Sequence, residues 1–256
     1  MRAPDELRRL IEEYLGGLAF LPELGGLEEA MRYTLETGGK RIRPVLCLAV
    51  AEAAGGDAEV TLPSAAALEL VHTFSLVHDD LPALDDDALR RGLPTAHVRF
   101  GEATALLAGD ALLAEAFRLA LTYPDTHVAS ELSEATLRMI GGQYLDVTDG
   151  GADLATVHLL KTGALFVASV GCGLWAAGVP EAEQAPWRAF GGELGLLFQI
   201  VDDVLDGDGY VLRLGEEAAR ARAGETAERA AAKLVAIPAD TSVLAEIVAG
   251  LAARTS

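Results

Sequence analysis

Lysine is almost absent from this 256-residue chain. Only Lys40, Lys161 and Lys233 occur, within a Lys+Arg total of 20 set against 39 Asp+Glu. The net charge of −19 excludes a nucleic-acid role, which rests on surplus Lys and Arg neutralising phosphates. Most of the acids read as a solvated surface. Cysteine is scarcer still. Cys47 and Cys172 lie far apart in apolar contexts with no CxxC spacing, which excludes a disulfide framework or zinc knuckle and reads as core thiols in a reducing compartment. Aromatic residues make up 5% and β-branched runs are few, so a sheet protein is excluded and helix is favoured by abundant Ala and Leu. No stretch approaches 18 apolar residues without a charge, so no stable membrane anchor is expected. The amphipathic start MRAPDELRRLIEEYL is too charged for a signal peptide, and a cytoplasmic location follows. The two Glu-x-x-His motifs of a di-iron site (only Glu69 to His72 matches), Gly-rich phosphate loops, dinucleotide fingerprints and nucleophile elbows are missing, which removes di-iron, P-loop, Rossmann and hydrolase chemistry.

Helical periodicity is what the chain does have. It is punctuated near Gly16-Gly17, Leu21-Pro22, Gly38-Gly39, Gly55-Gly56, Leu81-Pro82, Gly92 to Pro94, Tyr123-Pro124, Gly150-Gly151, Val179-Pro180 and Gly207-Asp208-Gly209. The spacing predicts an all-α, single-domain bundle of roughly ten helices over residues 1–256, with no strand-like alternation and no long linker. Two stretches, Thr61 to Val77 and Thr162 to Val179, are apolar on nearly every face and belong at the centre of the bundle.

The first of these runs straight into acid. In HTFSLVHDDLPALDDDALRRG, Leu81 precedes Pro82 and is pushed out of helical geometry, so the helix ends near Asp80 and delivers Asp79, Asp80 and Asp85 in a DDxxxxD pattern. Carboxylates at a helix C-terminus oppose the macrodipole. The anomaly recurs in FQIVDDVLDGDG, where Asp202, Asp203 and Asp206 form DDxxD, with Gln199 a turn earlier and Gly207 as the cap. GGQYLD adds Gln143 and Asp146 as a third polar inset. Carboxylates crowded together repel unless a cation joins them, and oxygen-only ligands suit Mg²⁺ bridging carboxylate to phosphate. The rare cations fit the same chemistry. Lys40, Arg41 and Arg43 crowd into GGKRIRP before an apolar helix, with Pro44 in its first turn, and Arg90-Arg91 follow the first acid cluster. Two cationic clusters beside two metal-type clusters indicate a site for two diphosphates.

These blocks carry a family resemblance. GGKRIRP, HTFSLVHDDLPALDDDALRRGLPTAH, FGEATALLAGDALL, GGQYLDV, KTGALF and GELGLLFQIVDDVLD, spanning about Glu28 to Asp206, resemble the trans-isoprenyl diphosphate synthases of the farnesyl/geranylgeranyl type in order and approximate spacing. The resemblance implies a homodimer with the isoprenoid synthase fold, its two aspartate motifs facing each other across a central cavity. It implies up to three Mg²⁺ held on an allylic diphosphate by Asp79, Asp80, Asp85, Asp202, Asp203 and Asp206, with Arg90 and Lys161 supporting that diphosphate. Lys40, Arg43, His72 and Arg91 would bind isopentenyl diphosphate, while Gln143, Thr162 and Gln199 line the reacting carbons. Phe74, five residues before Asp79, sits about 7 Å farther along the helix and corresponds to the floor of the family's tail pocket, where a bulky aromatic implies a C15 product.

The chain departs from the family after Asp206. GDGYVLRLGEEAARARA follows at once, without the usual loop carrying two lysines, and Arg213 is the nearest cation that could substitute. Ala88 stands where the usual first motif has a fourth acid. The readings left open are a farnesyl-type synthase, a geranylgeranyl-type synthase, a weakly active or regulatory subunit, and a class I terpene cyclase. The last would have no use for GGKRIRP and Arg91.

Overall fold

The structure, a computed structural model, describes residues 1–148 and 153–255. The expected break at Gly150-Gly151 lies outside the described residues. Helices α1 (Pro4–Gly16), α2 (Leu27–Glu36) and α3 (Ile42–Ala53) lead into the long α4 (Ala58–Asp79). After the first acid loop come α5 (Ala96–Phe100), α6 (Glu102–Ala120) and α7 (His127–Val147). Then follow α8 (Leu154–His158), a π-helical turn (Leu159–Gly163), α9 (Ala164–Ala176) and α10 (Ala185–Asp206). The chain closes with α11 (Gly209–Leu214), α12 (Glu216–Leu234) and α13 (Ser242–Ala252). The architecture is all-α, as expected. The one departure among the described residues is a two-residue antiparallel ladder, Leu89–Arg90 against Leu93–Pro94, which the sequence reading did not anticipate. Arg91 and Gly92, both at positive φ (55° and 80°), close it as a tight hairpin turn.

Helix α4 and α9 are the apolar runs and are buried in the bundle. Asp57 caps α4 by accepting the Glu59 N–H at 2.8 Å. Pro63 lies within the helix, and the Tyr123 hydroxyl accepts from the Ser64 N–H (3.2 Å) while donating to the Val60 carbonyl (2.9 Å). That hydroxyl bridges two backbone groups one turn apart beside the proline. The Ala58–Asp79 helix and the Leu154–Ala176 segment are long and apolar enough to cross a membrane, which corrects the expectation that no such stretch exists. Their most apolar windows are 72% and 67% buried within the protein, as core helices require. The α4 run ends as Pro82 predicts, with Asp80 as the cap of a helix finishing at Asp79. Helix α10 finishes at Asp206 with Gly207 left-handed (φ 75°).

The apolar stretch expected to begin at Thr162 starts instead with the π turn. Gly142 of α7 lies so close to the Lys161 backbone that a Cβ there would collide with it. The widened turn carries Lys161 and Thr162 at the place where α7 and the start of α9 meet.

Candidate active site

A cavity of about 850 Å3 opens between the loop before α3, the C-terminal half of α4, the end of α7, the π turn and the end of α10. Eleven residues singled out in the sequence line it together. Lys40, Arg43, His72 and Arg91 form one part of the wall, and Phe74 and Gln143 line its apolar part. Asp79 with Arg90, and Lys161 and Thr162 with Asp202, complete the set. Residues more than 160 positions apart in sequence therefore meet around one space.

The two aspartate rows are not uniform: the six acids expected to serve as ligands differ in burial and in the partners they already hold. Asp79 and Asp202 line the cavity. Burial pushes each carboxyl up to about 6; next in size are the Lys161 charge, which opposes the shift at Asp79, and the Asp206 charge, which adds to it at Asp202. Asp85 and Asp206 are exposed beyond the cavity-lining set. Asp80 is 4% exposed and is held by Arg90, whose Nε donates to Oδ1 at 2.7 Å. Asp203 is 3% exposed and accepts from Gln199 Nε2 at 2.7 Å and from the Tyr210 N–H at 2.8 Å. Gln199, expected on the reacting carbons, is thus tied to Asp203 and is not part of the cavity wall. Neighbouring residues on a helix point about 100° apart, so the two carboxylates of a DD pair leave the helix in different directions.

Among the described residues no three His, Cys, Asp or Glu side chains converge closely enough to hold a metal alone. The donor set nonetheless fits Mg²⁺. Its acids are oxygen-only, and burial raises the two that line the cavity, a cost that a bound cation would offset, the setting in which an octahedral ion shares carboxylate, water and phosphate oxygens.

The cations are arranged with equal care. Arg43 is 8% exposed and lies over the Phe166 ring at 4.9 Å and the Phe198 ring at 5.5 Å, with its Nε lacking a partner. Burial first, then the charges of Arg43 and Arg91, hold His72 well below its usual value, so it is neutral at pH 7. Lys161 pairs with Asp146 at 2.6 Å. Both amide atoms of Gln143 are buried without a protein partner.

The polyprenyl synthetase family model matches residues 25–220, which includes every element of this wall. The chain belongs to the polyprenyl synthetase family. Over 193 residues it is 46% identical to a geranylgeranyl diphosphate synthase of Cyanophora paradoxa, covering 70% of this chain and 64% of that one. It is 41% identical over 205 residues to a farnesyl diphosphate synthase of Geobacillus stearothermophilus, covering 74% and 69%. Among solved structures, a geranyltransferase from Legionella pneumophila superposes with a TM-score of 0.86 at 32% identity, covering 98% of this chain and 96% of that one. The chain thus spans just under two thirds of the length of its Cyanophora relative.

The connection after Asp206 is two residues long. Asp208 follows Gly207, and α11 begins at once at Gly209, whose φ is +44° and whose Cβ position would collide with the Asp203 carboxylate. Arg213 stands exposed on α11, its charge felt by Asp153 and His158, and is not among the residues lining the cavity. The substitution suggested for it is therefore not seen. Sequence reasoning missed Met139, Tyr144 and Phe198 in the wall and gave Glu69 no role. Glu69 carried a readable signal, being the one acid inside an otherwise apolar run; the other three look like ordinary core residues in sequence.

Proposed function

We propose that this protein is a short-chain trans-prenyltransferase joining isopentenyl diphosphate to an allylic diphosphate, with farnesyl diphosphate as product. The observation that carries the reading is the meeting of Asp79, Asp202, Lys161, Arg43 and Arg91 around one deep, largely apolar cavity. Mg²⁺ held by Asp79, Asp85, Asp202 and Asp206 would neutralise the diphosphate as it leaves. Lys161 and Arg90 hold that diphosphate from the protein side, and Lys40, Arg43 and Arg91 hold the second one. Neutral His72 donates a hydrogen bond there without adding charge.

The allylic C–O bond breaks, the double bond of isopentenyl diphosphate attacks the cation, and a proton leaves to the departed diphosphate. No side-chain base is needed. Thr162 and Gln143 turn oxygen dipoles to the positive carbons, and the apolar wall keeps water from quenching them. Phe74, 5% exposed and edge-on to His78 at 5.5 Å, serves as the floor of the tail pocket. A C20 product is the second reading, favoured by the geranylgeranyl name of the Cyanophora relative.

Two further readings complete the proposal. One core cluster running from Leu7 to Leu251 supports a single domain. Exposed apolar side chains on α6 and α7, among them Leu106, Leu107 and Leu137, support a homodimer. The test is incubation of purified protein with Mg²⁺, geranyl diphosphate and isopentenyl diphosphate. Farnesol after dephosphorylation is expected; geranylgeraniol would establish the second reading. Hydrocarbon from one diphosphate alone would replace both with a cyclase, and silence without a second protein would make this a dependent subunit.

A further inference from the structure

Glu69 is a full acid buried in the middle of the cationic wall. It lies on α4 three residues before His72, is 3% exposed, and pairs with Arg41 at 2.6 Å. Arg41 is itself 7% exposed and also donates to the Leu35 carbonyl. Its backbone is left-handed, with φ 49° and ψ 32°, a conformation unfavourable for an L-residue that persists only where surroundings hold it. That reversal sits between Lys40 and Arg43, and it brings both into the same cavity wall. Arg91 donates to the Gly38 carbonyl of the same loop. Burial pulls Arg43 down to about 10, and Glu69 is the strongest of the charges opposing that loss; it opposes the lowering of Arg91 as well.

A buried ion pair is weak evidence for stability, since well-packed apolar residues often serve as well. The geometry here points to a different use. We propose that Glu69 is a positioning residue for the second diphosphate pocket: through Arg41 it locks the loop turn that aims Lys40 and Arg43, and its charge lets Arg43 and Arg91 stand close enough to share one anion. Arg41 is then a strut and not a ligand. The inference rests on the two-diphosphate reading above and adds selectivity to it. The pocket reached by Lys40 and Arg43 depends on Glu69, whereas the pocket between Asp79, Lys161 and Asp202 does not.

The test is calorimetric binding of isopentenyl diphosphate to the full chain without Mg²⁺, comparing wild type, Glu69→Gln and the double variant Glu69→Leu/Arg41→Met. Steady-state KM values for both substrates accompany it. Glu69→Gln keeps the volume and removes the charge, and the double variant removes the buried charges together so that folding survives. Affinity for isopentenyl diphosphate is expected to fall about tenfold or more in both, as when a charge-assisted hydrogen bond is misplaced. KM for geranyl diphosphate is expected to stay within about twofold, well below the tenfold that one such bond is worth. Wild-type affinity in a well-folded double variant, or equal losses for both substrates, overturns the proposal. Failure of wild type to bind isopentenyl diphosphate would instead overturn the pocket assignment itself.

Discussion

Adjacent aspartates with opposite surroundings set the chemistry at the scale of single residues. Asp79 lines the cavity and is pushed up to about 6, while Asp80, one position on, is committed to Arg90. Asp79→Asn is therefore expected to lower kcat by about 100-fold or more and to weaken the apparent Mg²⁺ affinity, read from activity against Mg²⁺ concentration. Asp80→Asn is expected to leave the Mg²⁺ midpoint near its wild-type value and to raise KM for the allylic substrate, because it frees Arg90. Identical Mg²⁺ curves for the two variants would contradict this division. Phe74→Ala removes the ring that meets His78 and opens the tail pocket, so longer prenyl chains are expected in a chromatographic product assay. Unchanged chain length would dismiss Phe74 as the floor. The candidate residues were legible because their types are unusual where they stand: acids at helix C-termini, and lysines in a chain that avoids them. Which member of each DD pair faces the substrate was not legible. That depends on a guanidinium ten residues away for Asp80 and on a backbone N–H seven residues away for Asp203.

Two helices owe their form to single groups that arrive from elsewhere. In α4 the Tyr123 hydroxyl reaches from the loop after α6 to serve the Ser64 N–H and the Val60 carbonyl beside Pro63. Tyr123→Phe strands both, and a loss of about 1–2 kcal/mol in urea unfolding is expected. At the end of α10 the Asp203 carboxylate accepts from Tyr210 and packs against Gly209, so that a longer connection is not required for α11 to start. Gly209→Ala adds a Cβ to a positive-φ residue and drives it into that carboxylate. Destabilisation of about 1–3 kcal/mol is expected, along with a fall in activity that Gly224→Ala, in open space on α12, does not share. Helix ends were readable from Pro82, Pro44 and Gly207 because capping is a local matter. The π turn at Leu159–Gly163 was not, since it answers to the close approach of Gly142 on another helix.

For the whole molecule, the exposed apolar side chains of α6 and α7 supply the surface by which two copies would associate. Sedimentation is expected to give twice the chain mass, and Leu107→Arg/Leu137→Arg is expected to give the monomer; an unchanged mass would move the interface elsewhere. The sequence by itself determined the helical class, the central helices, the oxygen-only acids and the cations, because composition, periodicity and capping act over one or two turns of chain. Tertiary structure alone decided which carboxylates share the cavity, why Glu69 stands among arginines, and how a two-residue turn closes on Asp203. Those outcomes depend on the orientation of side chains from helices far apart in sequence, and only packing fixes that orientation.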